Sequence, residues 1–273
     1  WYTIAVDVIM PDGRTLQVAS VHHYRDQWAR AFEITYEDDS GKQRYVHQTT
    51  YGMSERLLGA IVANHGDDKG LVMPPPVAPV QAVVIPIISK GDSSDVISES
   101  ERITSELKTA GIRVRLDSRD IRPGQKYYDW EIKGVPLRIE IGPRDLANNS
   151  VICVRRTGGK ESYSVDNLID TVRSELDIIG EEMKQNSSDH FNSRIKILPT
   201  FTVDGKNLIF DQVIEKGIIY EMAFDGNDAE AEMIEKGTNL SFLGDSTTPY
   251  EKKVTCVITG KPTTRRVFLA KPY

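Results

Sequence analysis

The stretch that most constrains this chain runs from Asp117 to Asp145, DSRDIRPGQKYYDWEIKGVPLRIEIGPRD, where a helix start, a helix stop, a strand and a polar turn follow without slack. Pro123 suits a first helical position, where its missing N–H is no loss, and Gly134 suits the residue just past a helix end, where a left-handed backbone is cheap only for glycine. They bracket a helix over about 124–133. Residues 135–141 then alternate, with Val135, Leu137, Ile139 and Ile141 on one face and Arg138 and Glu140 on the other, the period of a half-buried strand. Arg138, Glu140, Arg144 and Asp145 are therefore expected to share one exposed edge.

A chain of 273 residues favours two domains or a domain and a half. No apolar run approaches the roughly 18 residues of a membrane span, and no basic segment followed by an apolar core opens the chain, so a soluble, cytoplasmic protein is expected. The sequence starts at Trp1, inside an apolar run and without Met, which points to a fragment. Two cysteines about a hundred residues apart, Cys153 and Cys256, are no disulfide framework and fit a reducing compartment. The net charge of −6 argues against a uniformly basic nucleic-acid binder, but residues 112–160 hold 11 Lys or Arg against 6 Asp or Glu, a local surplus of +5. Phosphate contact needs such a local excess, although a solvated charged face has the same composition.

Residues 1–73 read as antiparallel sheet: strands over 2–10 and 16–21 around Pro11-Asp12-Gly13, an amphipathic segment over 24–32, and strands over 33–37 and 43–49. Ser54 is positioned to cap a helix running to about Asn64, with Leu57, Leu58, Ile61 and Val62 on its apolar side. The proline-rich MPPPVAP over 73–79 is a stiff connector and the first domain boundary. Beyond it, the apolar run 82–88 suits a strand covered on both faces, followed by a helix over 94–110, a strand over 112–116, the helix and strand described above, a strand over 151–155 and a helix over about 165–183. Leu168, Val172, Leu176 and Ile179 give that last helix a core-facing stripe. Strands alternating with helices predict an α/β domain over 74–185 with a mixed, largely parallel sheet. After Gln185 a polar link of about nine residues leads to a small α+β domain over 186–273. There a strand is expected over 195–203, a helix near 207–216, a strand over 218–223, an acidic stretch over 225–235 and strands near Val254 and Val267. The apolar end Lys271-Pro272-Tyr273 is expected to be docked.

Several constellations carry chemistry. His22 and His23 are adjacent on a strand, so only one faces any given side and a metal pair is not expected. Arg56, one turn into a helix, has Glu55 and Glu33 as carboxylate partners or a phosphate as ligand, and both readings stand. His65-Gly66-Asp67-Asp68 reads as a turn after a helix rather than a metal site. Thr157-Gly158-Gly159-Lys160 lacks the spacing of a phosphate-binding loop and reads as a hairpin with a lysine at its rim. No dinucleotide fingerprint, nucleophile elbow or metalloprotease helix is present.

Together these residues resemble the prolyl-tRNA synthetase family in its archaeal and eukaryotic form, along essentially the whole chain. Leu16, Gln17, Ser20, His22 and His23 match the strand that lines that family's adenylate pocket, and TTYGMSERLLGA over 49–60 resembles the third class II motif. The resemblance implies ATP-dependent activation of proline and its transfer to the 3′ end of proline tRNA, with Mg²⁺ accompanying ATP. It implies that Arg56 grips phosphate, Gln17 and Ser20 touch the nucleotide, and His22 shapes the proline pocket beside Gly52 and Ser54. Arg56 and His22 are then the catalytic pair, since charge-rich carboxyl activation is served by fixed cations and donors.

By the same resemblance 1–73 is part of the class II catalytic domain and 74–185 the anticodon-binding domain, with Glu131, Arg138, Arg144, Asp145 and Lys160 as anticodon contacts. Arginines and carboxylates suit guanine edges, and unstacked loop bases are the usual targets of RNA readers. Residues 186–273 resemble the zinc-binding-like C-terminal domain, but its four cysteine positions fall on Asp225, Glu230, Cys256 and Thr259, so no zinc is expected. Other departures are Val18 and Ala19 where the family has glycines, Val21 before the histidines, Tyr51 for Trp and Glu55 before the motif arginine. The family's first two motifs lie upstream of the match, so the chain alone is expected to be inactive while the complete protein, a homodimer, is a proline–tRNA ligase. The alternative reading is a catalytically altered synthetase relative that binds tRNA without charging it.

Overall fold

The computed structural model describes residues 2–88, 94–205 and 207–273. They form two compact units, one combining Trp1–Ala60 with His190–Tyr273 and the other comprising Ile61–Asp189.

The first unit opens with strands β1 (Tyr2–Ile9) and β2 (Thr15–Arg25), antiparallel around a turn in which Gly13 has φ +79°. A bulge interrupts their register between Val6 and Asp7. The segment expected to be amphipathic over 24–32 splits: β2 continues to Arg25, whose φ of +51° turns the chain, and only α1 (Gln27–Ala31) is helical. Asp26 anchors that short helix by accepting from Arg30 Nε at 2.9 Å. The hairpin of β3 (Thr35–Glu37) and β4 (Gln43–Tyr45) turns about Asp38, whose Oδ1 accepts from the Ser40 and Lys42 amides at 2.9 and 3.1 Å. Strand β5 (Gln48–Met53) then pairs with β2, giving the sheet order β1-β2-β5. Helix α2 (Arg56–His65) follows, its first amide held by Ser54 Oγ at 3.4 Å. Its expected apolar side is not covered in this chain: Leu57, Leu58 and Val62 are exposed and only Ala60 is buried.

The second unit is a five-stranded sheet with helices on both faces. Its elements are β6 (Ala82–Pro86), α3 (Ser94–Thr109), β7 (Val114–Leu116), α4 (Pro123–Ile132), β8 (Leu137–Ile141), α5 (Pro143–Ala147), β9 (Ser150–Arg155), β10 (Lys160–Ser164) and α6 (Leu168–Ser193). The strand order is β10-β9-β8-β6-β7, parallel at β8-β6 and β6-β7 but antiparallel at β10-β9 and β9-β8, so the mixed sheet is half parallel rather than largely so. Val84, Leu137, Ile139, Ile141 and Val151 pack against α3 and α6. Val83, Ile85 and Val135 pack against Tyr127 and Trp130 of α4 on the reverse face.

This layering overturns the exposed edge expected for Arg138 and Glu140. Strand β8 is interior to the sheet, both its faces are covered, and Glu140 is buried. Val135 precedes the strand and sits on the α4 side, because the alternation begins only at Leu137. Helix α6 also outlasts its expected end near residue 183. Residues 181–193 contain neither glycine nor proline, and Gln185 donates to Asp189 one turn on at 2.8 Å, so nothing stops the helix before Ser193.

The chain returns to the first unit with β11 (Ile195–Ile197), β12 (Phe201–Asp204), β13 (Asn207–Phe210), β14 (Ile219–Ala223), α7 (Asp228–Thr238), β15 (Ser241–Asp245), β16 (Val254–Thr255), β17 (Pro262–Thr263) and β18 (Arg266–Ala270). The helix expected near 207–216 is instead half of the β12-β13 hairpin: Asp204-Gly205 is a turn signal, Gly205 has φ +62°, and the Phe201 and Phe210 rings meet at 5.2 Å. The acidic stretch 225–235 is largely helical. Asn227 Oδ1 accepts from the Ala229 and Glu230 amides, and Glu230 Oε2 accepts from the Asn227 amide at 2.8 Å, a reciprocal cap spelled by the sequence itself. Strands β11-β14-β18-β15 form the sheet, and Tyr220, Met222, Phe224, Val267 and Leu269 make its core. The C-terminus is docked as expected: Thr15 N donates to Lys271 O at 2.9 Å, Tyr273 N to Thr15 O at 3.0 Å, and Arg14 lies 3.7 Å from the Tyr273 ring.

Candidate functional site

Strict alternation along β2 would put Gln17 on the Ala19 and Val21 face. The bulge changes that. Cross-strand partners share a face, and in register Thr3 opposes His22, Ala5 opposes Ser20 and Asp7 opposes Gln17, with Val18 the extra residue. Gln17, Ser20 and His22 therefore lie on one face of the sheet, with Thr3, Ala5 and Asp7. His22 is oriented from both sides, Nδ1 lying 2.9 Å from Thr3 Oγ1 and Nε2 3.0 Å from Ser20 Oγ. His23 points away, its ring 5.3 Å from that of Tyr2 on the opposite face.

Gly52 is the β5 partner of Ser20, and a Cβ there would meet nothing within 4 Å, so the space above this pair is open. Ser54 N donates to Val18 O at 3.2 Å, tying the start of α2 to the bulge, and Arg56 Nη1 donates to Gln17 O at 3.4 Å. Among the described residues no carboxylate forms an ion pair with Arg56, neither Glu55 nor Glu33, and its charge stands beside Gln17 uncompensated. Residues Gln17, Ser20, His22, Gly52, Ser54 and Arg56 are thus brought to one region: open space bordered by donors, an imidazole and a cation, an arrangement suited to a phosphorylated ligand. Thr3 and Asp7 belong to the same face and were missed. The signal was the alternation Thr3-Ala5-Asp7 against Tyr2-Ile4-Val6 in β1.

The second unit holds a cavity of about 380 Å³ whose lining includes Lys69, Glu131, Arg138, Arg155, Arg156 and Lys160. Arg138 and Lys160 both oppose Val154, on its two sides, so they lie in one row across β8, β9 and β10. Arg138 is further held against the Tyr127 ring at 4.1 Å. Arg156 is engaged by the protein: it donates to both Asp67 oxygens at 2.8 and 2.5 Å and to Glu131 O at 3.2 Å. The bonds from Arg156 are the main reason that the Asp67 carboxyl is held down to about 2. Lys69 Nζ lies 3.6 Å from Glu131 Oε1. Arg155 stabilises the turn before Lys160, donating to Gly158 O at 2.9 Å and to Glu175 Oε2 at 3.3 Å. Gly159 has φ +98°, a left-handed backbone that glycine adopts without strain.

Of the five residues expected to contact an anticodon, Glu131, Arg138 and Lys160 thus share this cavity. Arg144 and Asp145 do not line it. They follow the other end of β8, roughly 15 Å away along the strand. Asp145 Oδ2 accepts from Gly142 N at 2.8 Å and caps α5, while no side-chain partner of Arg144 is found among the described residues.

The four positions resembling zinc ligands do not fit a sulfur-rich cage. Glu230 is committed to capping α7, and the only thiol, Cys256, accepts from the Asp225 amide at 3.4 Å. Burial opposes ionisation of Cys256, yet the donors from Thr259, Asp225 and Ile258 outweigh it and lower the thiol below its ordinary value. Among the described residues, no group of three or more His, Cys, Asp or Glu side chains is placed to hold a metal ion, and no helix is long and apolar enough to cross a membrane.

Two family models match separate stretches of the chain. Residues 2–65 match the tRNA synthetase class II core domain (G, H, P, S and T), and residues 81–175 match the anticodon binding domain. The proline–tRNA ligase of Thermococcus kodakarensis is 45% identical over 89% of this chain and 50% of its own length. That of Methanocorpusculum labreanum is 44% identical over 96% of this chain and 54% of its own. The chain thus spans about half the length of the curated relatives it matches. A solved structure of Giardia lamblia prolyl-tRNA synthetase in complex with prolyl-adenylate superposes with a TM-score of 0.85 and 29% identity, covering 100% of this chain and 58% of that one.

Proposed function

The chain belongs to the prolyl-tRNA synthetase family, and on that premise we propose that the whole protein is a proline–tRNA ligase, activating proline with ATP and passing the prolyl group to the 3′ end of proline tRNA. The observation that carries this reading is the bulge in β2, which gathers Gln17, Ser20 and His22 on one open face beside Arg56, which forms no ion pair among the described residues. In the first step the proline carboxylate attacks the α-phosphorus of ATP and pyrophosphate leaves. In the second a tRNA terminal hydroxyl attacks the prolyl carbonyl and AMP leaves. Arg56 balances phosphate charge as it redistributes, Gln17 and Ser20 donate to the nucleotide, and His22, held by Thr3 and Ser20, borders the proline pocket with Gly52 and Ser54. Mg²⁺ enters with the ATP phosphates, and these residues assign it no protein ligand.

Several departures from the family pattern leave this chemistry room. Ala19, Val21 and Tyr51 belong by register to the opposite face of the sheet from Gln17, Ser20 and His22. Charging is for this reason favoured over a tRNA-binding role alone. In the second unit, Glu131, Arg138 and Lys160 contact one anticodon base in their cavity, and Arg144 and Asp145 contact a neighbour at the far end of β8. The reading extends to a catalytic part over 1–73, an anticodon-binding domain over 74–185, a zinc-free C-terminal domain over 186–273, homodimer formation and a cytoplasmic location.

Charging assays on the whole protein test it. Proline tRNA is expected to be prolylated, and Arg144→Ala to weaken its binding by about 1–3 kcal/mol while relaxing discrimination at one anticodon base. Equal weakening for unrelated tRNAs would mean that Arg144 is a phosphate contact and reads no base.

A further inference from the structure

Behind the cavity of the second unit sits a carboxylate that the proposed reading leaves without a role. Glu140 does not line the cavity, and its side chain is only 6% exposed. Its two oxygens are divided between two cations from different strands: Oε1 accepts from Arg138 Nε at 2.8 Å and Oε2 from Lys160 Nζ at 3.1 Å. Burying a carboxylate is unfavourable unless its partners compensate fully, and here its two ion-pair partners are the cations that face the cavity. We propose that Glu140 is a positioning residue for anticodon reading, clamping Arg138 and Lys160 into a preset pair of donors for the acceptor edge of a purine base.

The geometry leaves that pair free on the side that matters. Glu140 engages only Nε of Arg138, and among the described residues no partner of Nη1 or Nη2 is found. The Tyr127 ring lies 4.1 Å from the guanidinium, so two contacts fix the orientation of one side chain. The Tyr127 hydroxyl is itself pushed up to about 12, by burial first and then by the Glu140 charge, which places the phenol and the carboxylate together. Lys160 is 57% exposed and gives one of its three N–H groups to Glu140, keeping two for a ligand. Without the carboxylate, two like charges would repel across β9, and their flexible stems would swing toward backbone phosphates. Base selection would fall while general RNA affinity remained.

This inference rests on the anticodon assignment of the cavity, and one experiment separates the two. Binding of the whole protein to proline tRNA is compared with binding to the same tRNA carrying adenine in place of its anticodon guanines, for the unaltered protein, Glu140→Gln, Glu140→Asp and Arg138→Ala. Glu140→Gln is expected to lower the ratio of the two affinities about tenfold, through weaker cognate binding, with affinity for the altered tRNA unchanged or higher. In charging assays the loss is expected in KM for tRNA rather than in kcat. Glu140→Asp, which keeps the charge but shortens its reach, is expected to fall between, and it carries the test if Glu140→Gln proves unstable. An unchanged ratio, or equal weakening for both tRNAs, overturns the role of Glu140. If Arg138→Ala also leaves the ratio intact, the anticodon assignment fails; if Arg138→Ala alone collapses it, only the positioning role does.

Discussion

At the scale of the residue, a buried carboxylate outside both sites shows how one side chain can fix a loop, and Asp117 is that case. Buried at the end of β7, it accepts from Arg119 Nε and Nη2 at 2.8 and 2.7 Å and from Trp130 Nε1 at 2.7 Å, so it ties the loop before α4 to that helix. The Arg119 guanidinium is the main reason its carboxyl is held down to about 2, against 3.8 for an ordinary aspartate. A depressed folded-state pKa stabilises above the unfolded value and is lost as pH falls through the folded one. Asp117→Asn is therefore expected to lower stability at neutral pH by about 1–3 kcal/mol, measured by denaturant unfolding, with the deficit closing between pH 4 and about 2. A deficit independent of pH would show that packing, not charge, is at stake. Gln17, Ser20, His22 and Arg56 were legible because their spacing resembles a family motif. Thr3, Asp7 and Glu140 were not, because a period of two tells which residues share a face but not which face is covered.

At the scale of the element, α4 and its flanks were read closely: Pro123 opens the helix and Gly134 follows its cap with φ +68°. The structure adds a reason for Gly134 that the sequence does not carry. Met73 N donates to Gly134 O, and a Cβ at 134 would lie 2.6 Å from the carbonyl carbon of Leu71. Gly134→Ala is expected to lower stability by about 1–3 kcal/mol from backbone strain and close approach together, visible as a lower melting temperature. A loss below about half a kcal/mol would mean that the Leu71 segment shifts freely. The elements misread share a cause. The β12-β13 hairpin stands where a helix is expected near 207–216, and α6 continues through residues whose polarity suggests a link. Hairpins are decided by their turns and helix ends by their stop signals, and only Asp204-Gly205 carried such a signal.

At the scale of the molecule, what could not be read was which distant segments join. Residues 1–60 and 190–273 make one compact unit because the β1-β2 turn receives the chain's end: Arg194 donates to Gly217 O at 3.1 Å and to Pro11 O at 2.5 Å, and Tyr273 closes on Thr15. Gly13 is the point of closest approach, since a Cβ there would lie 2.1 Å from Gly217 Cα. Gly13→Ala is expected to lower the stability of this unit by more than about 2 kcal/mol, because φ +79° and a backbone clash act together. Hydrogen exchange is expected to rise at Thr15 and Tyr273 before it rises in the second unit, and equal protection across both units would contradict that placement.

On the proposed reading, the face carrying Gln17, Ser20 and His22, with Arg56 beside it, activates proline. Proline-dependent ATP–pyrophosphate exchange by the whole protein measures that step without tRNA. Exchange that requires proline and Mg²⁺ and falls about a hundredfold in Arg56→Ala is the predicted result. Folded protein that gives no exchange with proline, ATP and Mg²⁺ present, or exchange indifferent to Arg56→Ala, would contradict it.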